Sequence, residues 1–210
     1  MSDVISPGAA ATIVEVLAWW AKHRPDRRAF VFLERGEREA GSFTYAELDS
    51  RARVIARAVR DNGLVGQRVV LAYPTCLEFV AALFGCFFAG AIAVPAPVES
   101  HSRAASRLQG IRVDAAAAAV FSLRSMLSHC AEPGVQVDAR PIPNVLYLAT
   151  DELPQVTDRT PPQPVESSAV ALLQYTSGST GNPRGVMLSH GNIINNQLAL
   201  SAVLMTRWRS

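Results

Sequence analysis

Several classes of protein are disfavoured by features that the sequence has little of. The formal charge of +2 is small and spread along the 210 residues, without the basic block that is typical of nucleic-acid binders. Cys76, Cys86 and Cys130 form no C-x-x-C pair and have no histidine at metal-ligand spacing. We therefore expect no nucleic-acid partner and no metal ligands in this chain, and we expect its cysteines to be buried free thiols in a reducing compartment.

Long hydrophobic runs are also scarce. The apolar run 79–94 is shorter than the ~18–20 residues that a membrane span needs, contains Gly85 and Gly90, and ends at Pro95. This pattern favours a buried helix that leads into a buried strand. The N-terminus lacks the basic start and apolar stretch of a signal peptide. We therefore expect a cytoplasmic protein without a membrane span.

Helix starts are indicated by three T-x-x-E patterns. In this pattern the hydroxyl can accept a hydrogen bond from the amide three residues on, while the glutamate reaches back. The pairs are Thr12/Glu15, Thr44/Glu47 and Thr75/Glu78. Apolar residues follow each pair, and Asn62-Gly63 is predicted to end the second helix. Trp19 and Trp20, in the first helix, are predicted to lie in the core.

Strands are predicted between and after these helices. The runs 29–33 and 40–43 flank a charged turn and predict a hairpin. Further strands are predicted at 68–73, 91–94, 115–121, 144–148 and 169–175, with helices at 103–113 and 123–130. The strand at 169–175 is expected to be fully buried. Alternating strands and helices predict an α/β fold of open, mostly parallel sheets flanked by helices, which binds ligands at the carboxyl ends of strands.

Prolines suggest how the chain is divided. Seven of the thirteen prolines fall within 131–168, which is typical of a surface connection. We predict a first α/β subdomain at 1–150, a proline-rich connection at 151–168, and the start of a next subdomain at 169–210.

The segment TSGSTGNPRG, residues 176–185, has the composition of an anion-binding loop. Its glycines, Gly178, Gly181 and Gly185, allow positive φ angles and the close approach of a ligand, and successive amides can converge on an anion. Arg184 adds a permanent charge whose planar shape suits phosphate oxygens. Four hydroxyls complete the set: Thr176, Ser177, Ser179 and Thr180. We expect this loop to hold a polyphosphate.

Other interpretations of this segment are weaker. The spacing matches neither the Walker pattern G-x-x-x-x-G-K-[ST] nor the dinucleotide pattern G-x-G-x-x-G. A flexible Ser/Gly linker is disfavoured, because an apolar strand precedes the segment and apolar residues follow it. Downstream, Ser189 is predicted to cap a helix that begins near His190. A lone histidine at a helix start is more often structural than catalytic, and we interpret His190 in that way.

The stretch YTSGSTGNPRGV, Tyr175–Val186, resembles the signature loop of the adenylate-forming (AMP-binding) superfamily, and the MLSHGN that follows fits the same family. Upstream, TYAEL and AALFGCFFAGAIAVP are similar to the N-terminal part of that fold, so the resemblance runs from about residue 12 to about residue 200. LLQYTSGST and VPAPVESHSRAASRLQGI are most similar to fatty acyl-AMP ligases, which commonly load lipid and polyketide synthases. Arg184 departs from the family pattern, which has a lysine there; the charge is kept and the geometry differs.

The resemblance implies a two-step reaction with ATP and Mg²⁺ as cofactors. A fatty acid carboxylate attacks the α-phosphorus of ATP to give an acyl-adenylate and pyrophosphate, and the acyl group then passes to the thiol of an acyl carrier protein or coenzyme A. The implied ATP phosphate-binding residues are Thr176, Ser177, Gly178, Ser179, Thr180, Gly181, Arg184 and Gly185. None of them is a base or a nucleophile, and no catalytic residue is assigned.

The chain resembles less than half of a complete family member. No part of the chain resembles the family's segments that bind adenine and ribose, hold magnesium or line the acyl tunnel. The lid with its catalytic lysine has no counterpart in the resemblance either. We therefore expect the isolated chain to be a truncated piece that does not catalyse adenylation, and that exposes an apolar edge which favours self-association. The alternatives are a fragment of a fatty acyl-CoA synthetase or an amino-acid-activating domain, or a non-catalytic remnant or module that a partner chain completes.

Overall fold

The computed structural model describes residues 10–96, 102–129, 145–154, 160–176 and 184–207. Its helices are α1 (Ile13–His23), α2 (Tyr45–Asp61), α3 (Leu77–Ala89), α4 (Ser102–Asp114), α5 (Arg124–His129) and α6 (His190–Arg207). Its strands are β1 (Arg28–Glu34), β2 (Arg38–Thr44), β3 (Arg68–Leu71), β4 (Ile92–Pro95), β5 (Ala119–Ser122), β6 (Leu146–Ala149), β7 (Val170–Thr176) and β8 (Arg184–Ser189).

A six-stranded sheet in the order β6-β5-β3-β4-β7-β8 forms the centre of the fold. Every neighbouring pair in it is parallel except β7 and β8, which are antiparallel. The predicted α/β class with a mostly parallel sheet is confirmed. β1 and β2 form the predicted hairpin as a separate two-stranded sheet. Because β7 pairs with β4, the strands of 169–210 extend the sheet of 1–150; the division into two subdomains stays a prediction.

Two of the three predicted helix caps are confirmed. Thr12 Oγ1 accepts a hydrogen bond from the amide of Glu15, and Thr44 with Glu47 forms a complete capping box at the start of α2. α2 ends at the expected position, with Asn62 as its C-cap.

The third cap is wrong. α3 begins at Leu77, and its N-cap, Cys76, makes no side-chain capping bond. The carboxylate of Glu78 is instead paired with Arg51 of α2, at an Nη2–Oε1 distance of 2.9 Å. Arg51 also donates to the backbone carbonyl oxygens of Thr150 and Leu153. Glu78 therefore pairs with Arg51, 27 positions earlier, instead of capping the amides of its own helix.

The strand predicted at 115–121 starts only at Ala119, because α4 ends in a tight turn just before it. The amide of Ala117 donates to the carbonyl of Arg112 and the amide of Ala116 donates to that of Val113, while Ala116 has a φ of 46°. These are the two hydrogen bonds and the left-handed residue of a Schellman motif. Residues 115–118 therefore close a helix.

β7 is half-buried and not fully buried as predicted. Leu173 and Tyr175 pack with apolar residues of β3, β4, α4 and β5, including Val70, Val94 and Ile111. Gln174 and Thr176, on the opposite face, are exposed. The second half of β7 thus alternates like a strand with only one face covered, whereas Ala171 and Leu172 near its start belong to the apolar cluster that contains residues of α2 and α3.

Trp19 and Trp20 are half-buried, so their assignment to the core is wrong. Trp19 stacks on His23 of its own helix, with ring centroids 4.1 Å apart, and Trp20 stacks on Tyr45 at 5.1 Å. Both rings thus lie over neighbouring rings at the surface of the first helix.

The apolar run 79–94 forms most of α3 and of the buried strand β4, as predicted. Within the described residues no helix is long and apolar enough to cross a membrane. Cys86 is a buried free thiol and Cys76 is a half-buried one; Cys130 lies outside the described residues. Burial raises the pKa of Cys86 to about 12, which keeps that thiol protonated and unreactive at neutral pH.

β8 pairs only with β7 in the described sheet and so forms one of its edges. Val186 and Met187 on this strand are 48% and 69% exposed. The apolar edge expected from the sequence is therefore present, and the self-association expected from it stays a prediction.

Candidate functional site

The β7–β8 hairpin holds the ends of the glycine-rich segment next to each other. Tyr175 lies opposite Gly185 across the two strands, and Thr176 lies opposite Arg184. The chain leaves β7 after Thr176 and returns at Arg184, so these two residues form what we call the loop mouth. The predicted phosphate-binding residues Ser177, Gly178, Ser179, Thr180 and Gly181 lie outside the described residues.

Both side chains of the loop mouth are available to a ligand. Thr176 and Arg184 are exposed. Side chains that are directly opposite in an antiparallel pair point to the same face, with Cβ atoms about 4.5–5.5 Å apart. Among the ion pairs formed by the described residues none involves Arg184. The mouth thus presents a hydroxyl and an unneutralised guanidinium side by side, and this combination suits phosphate oxygens.

Gly185 leaves room for the side chain of Tyr175, whereas the sequence suggested a positive φ angle or the close approach of a ligand. Its φ lies outside the left-handed region, so it is not required for a positive φ angle. A Cβ atom at this position would lie 3.0 Å from Cζ and 3.2 Å from Oη of Tyr175. Glycine is favoured here because the tyrosine ring packs directly against the opposite strand and leaves little room for a Cβ atom.

Tyr175 is the residue of this site that the sequence reasoning missed. Its ring is 9% exposed, and its hydroxyl donates a hydrogen bond to Oδ2 of Asp114, at the end of α4, over 2.6 Å. Burial raises the pKa of Tyr175 to about 12, and the neighbouring Asp114 carboxylate contributes to the shift. The hydroxyl therefore remains a proton donor at physiological pH. The alternation along β7, which places Tyr175 on the covered face, was the available signal.

The residues after the hairpin have structural roles. Ser189 Oγ accepts from the amide of Asn192 and the Asn192 side chain accepts from the amide of Ser189, so the predicted cap of α6 is confirmed. His190 is 1% exposed and its ring packs edge-on against Phe87. Burial lowers the pKa of His190, which favours the neutral ring. The structure places this histidine in the core, away from the loop mouth.

Metal ligands are not clustered in the described part of the chain. No group of three or more His, Cys, Asp and Glu side chains there could hold a metal ion. The exposed Thr176 hydroxyl and Arg184 guanidinium at the loop mouth can bind an anion by hydrogen bonds and positive charge.

Comparison with known sequences gives a consistent family. The sequence model described as AMP-binding enzyme matches residues 17–209. The chain is 36% identical over 189 residues to the medium-chain fatty acid–acyl-carrier-protein ligase JamA of Moorena producens, covering 88% of this chain and 32% of that protein. It is 31% identical over 193 residues to the long-chain fatty acid–AMP ligase FadD26 of Mycobacterium tuberculosis, covering 90% and 33%.

Solved structures agree with these sequences. The fatty acid AMP ligase from Legionella pneumophila superposes with a TM-score of 0.79 at 28% identity, over 93% of this chain and 33% of that one. A fatty acyl-adenylate ligase from L. pneumophila, in complex with acyl adenylate and pyrophosphate, gives a TM-score of 0.76 at 28% identity, over 90% and 32%. The chain spans about a third of the length of the relatives it matches.

Proposed function

Because the chain belongs to the AMP-binding enzyme family, we propose that it supplies the ATP phosphate-binding part of an acid–AMP ligase that activates a fatty acid. The observation that carries the proposal is the loop mouth, where the hairpin register sets Thr176 beside Arg184 at the ends of a hydroxyl- and glycine-rich segment. Support for a fatty acid as the substrate comes from relatives whose names are those of fatty acid–AMP and fatty acid–acyl-carrier-protein ligases.

In the proposed reaction the protein positions ATP and offsets its charge. The hydroxyls of Thr176, Ser177, Ser179 and Thr180 and the amides of Gly178, Gly181 and Gly185 donate to the β- and γ-phosphates, while the Arg184 guanidinium lies against the same oxygens. The fatty acid carboxylate then attacks the α-phosphorus, and the bond to the pyrophosphate oxygen breaks. Holding the leaving pyrophosphate and offsetting its charge lowers the barrier without a protein base or nucleophile.

Mg²⁺ is proposed to arrive bound to the phosphates of ATP. Within the described residues no three carboxylate, histidine or cysteine side chains cluster into a metal site, and Mg²⁺ commonly keeps several waters and is bound largely through substrate phosphates. Mg²⁺ is accordingly proposed as the counter-ion that accompanies ATP, and no step is assigned to it.

The acceptor of the acyl group is proposed to be the thiol of an acyl carrier protein, in line with the name of the ligase JamA. Coenzyme A is the second candidate, because a relative that is 30% identical over 187 residues is named a putative fatty-acid–CoA ligase. Product analysis of a full-length protein containing this chain, with each thiol supplied separately, distinguishes the two. Acyl transfer to coenzyme A alone would exclude the carrier-protein assignment.

The phosphate-binding role is tested by titrating the 210-residue chain with ATP, and separately with pyrophosphate, in a calorimeter. We expect Arg184→Gln to raise the Kd for ATP at least about tenfold, since a hydrogen bond to a charged group contributes about 1.5–3 kcal/mol. Arg57→Gln is the matched control, because Arg57 is an exposed arginine, 62% accessible, that pairs only weakly with Asp61 of its own helix. A wild-type chain that binds neither ATP nor pyrophosphate would contradict the proposal.

A further inference from the structure

A hydrogen bond joins the end of α4 to the base of the loop mouth. The Tyr175 hydroxyl donates to the Asp114 carboxylate over 2.6 Å, across 61 residues of sequence. A neutral hydroxyl that donates to a charged carboxylate forms a bond about twice as strong as a neutral pair. Tyr175 immediately precedes Thr176, so this bond ties the last turn of a helix to the residue next to the mouth.

Asp114 occupies a position that its own helix disfavours. It is the last residue of α4, where the partial negative charge of the helix terminus repels an anion by roughly 0.3–1 kcal/mol. The turn that follows places Ala116 at a φ of 46°, a conformation that costs an alanine roughly 1–2 kcal/mol. The two hydrogen bonds that close α4 account for the left-handed Ala116, but α4 itself does not account for a carboxylate at its last position. The hydrogen bond from Tyr175 provides a favourable interaction that offsets the repulsion of the Asp114 carboxylate by the helix terminus.

The same tyrosine also contacts the returning strand. Gly185 lies opposite Tyr175 in the hairpin, and a Cβ atom there would be 3.0–3.3 Å from three atoms of the tyrosine side chain. The ring is thus held between the Asp114 carboxylate at its hydroxyl and the β8 backbone at its edge. One side chain therefore fixes both strands at the level just below Thr176 and Arg184.

We propose that Tyr175 and Asp114 act as positioning residues, which set the separation and direction of Thr176 and Arg184 for the phosphates of ATP. This inference rests on the phosphate-binding role proposed above. Neither residue touches the nucleotide in this scheme. They act through the hairpin, by removing the freedom of its two strands to shift or twist relative to α4.

A matched control lies on the same helix. Arg112 of α4 donates to the hydroxyl of Tyr147 on β6, at the opposite side of the sheet from β8. Tyr147→Phe therefore removes one tyrosine hydroxyl bonded to α4, as Tyr175→Phe does, without touching the hairpin. Comparing the two variants separates an effect on the loop mouth from a general loss of α4 packing.

The test uses the 210-residue chain with Tyr175→Phe, Asp114→Asn or Tyr147→Phe, followed by hydrogen exchange of peptides from β7 and β8 and by ATP calorimetry. We expect Tyr175→Phe to speed amide exchange at 184–186 about tenfold and to raise the Kd for ATP by a similar factor, which is the size expected when one hydrogen bond to a charged group is lost. Asp114→Asn should give smaller increases in the exchange rate and in the Kd for ATP, because the side-chain amide oxygen can still accept a hydrogen bond from Tyr175. Tyr147→Phe should stay within about twofold of wild type in both.

Equal exchange and equal ATP affinity in Tyr175→Phe and Tyr147→Phe would overturn the inference, whatever their unfolding temperatures. If Tyr175→Phe does not fold, Asp114→Asn decides alone, since Asp114 is an exposed residue at a helix end. A wild-type chain that binds no ATP would refute the proposed function, while the exchange comparison would still decide whether the pair fixes the hairpin. The two failures are therefore distinguishable.

Discussion

The Gly185→Ala substitution tests most directly why a glycine stands at the loop mouth. The added Cβ atom would lie 3.0 Å from Cζ, 3.2 Å from Oη and 3.3 Å from Cε2 of Tyr175. Ordinary contacts between carbon atoms are about 3.5–4.0 Å, so the ring or the strand must give by a few tenths of an ångström. A movement of the ring also displaces the hydroxyl relative to Asp114, to which it is bonded over 2.6 Å.

The expected loss of stability combines two opposing effects. Overpacking of this kind costs about 1–3 kcal/mol, and the reduced freedom of the unfolded chain on replacing glycine returns about 0.4–1 kcal/mol. The net destabilisation is about 1–2 kcal/mol, which corresponds to a fall in Tm of about 2–8 °C for a chain of this size. ATP affinity should fall as well, because the displaced ring no longer holds Thr176 against Arg184.

Gly41→Ala in β2 is the control, and calorimetry with thermal unfolding is the assay. Gly41 is also a strand glycine, but its added Cβ would meet only Cδ1 of Leu77, the end of a flexible side chain, at 3.2 Å. Gly41→Ala should therefore change Tm by less than Gly185→Ala and leave ATP binding unchanged. A Gly185→Ala protein with wild-type Tm and wild-type Kd for ATP would refute the packing argument.

Four further outcomes are expected. Glu78→Gln should lower the free energy of unfolding in urea by about 3 kcal/mol, because it leaves Arg51, whose side chain is 9% exposed, without its counter-charge; an unchanged urea midpoint would contradict this. Ala116→Gly should raise Tm, by relieving about 1 kcal/mol of left-handed strain at a φ of 46°; a lower Tm would show that the turn is not strained. Burial lowers the pKa of His190 from 6.5, so on acidification the unfolded state takes up a proton on this residue before the folded state does. The free energy of unfolding should therefore be unaffected by His190 above pH 6.5 and should decline as the pH falls below it. In urea titrations at several pH values, His190→Gln should make this decline shallower. Finally, the 210-residue chain alone should show no exchange of pyrophosphate into ATP with any fatty acid, because it spans about a third of the relatives it matches; measurable exchange would disprove this.

Local signals predicted much of the fold where neighbours in sequence are also neighbours in space. The Thr44/Glu47 box marks the start of α2 because both partners lie within one turn, and the β1–β2 hairpin follows from a short charged turn. The Thr75/Glu78 box failed because Glu78 binds Arg51 on another helix. The run of alanines at 115–118 carries no side-chain signal that distinguishes a helix-closing turn from a strand.

The candidate site was predictable only in part for the same reason. Arg184 and Thr176 were identified from composition and resemblance, and the structure sets them opposite each other. The partner of Tyr175 lies 61 residues away on a different element, and no local pattern connects the two. The role of Gly185 likewise depends on the ring across the hairpin, and not on its own backbone angles.

The hairpin register has a consequence for how the glycine-rich segment can vary. Within it, the seven residues 177–183 connect Thr176 and Arg184, which the sheet already holds as cross-strand neighbours. The entropy of ring closure grows only as the logarithm of length, about 0.6 kcal/mol for each doubling. Inserted residues should therefore be tolerated far better than a shift of one register position, which would turn Thr176 and Arg184 towards opposite faces.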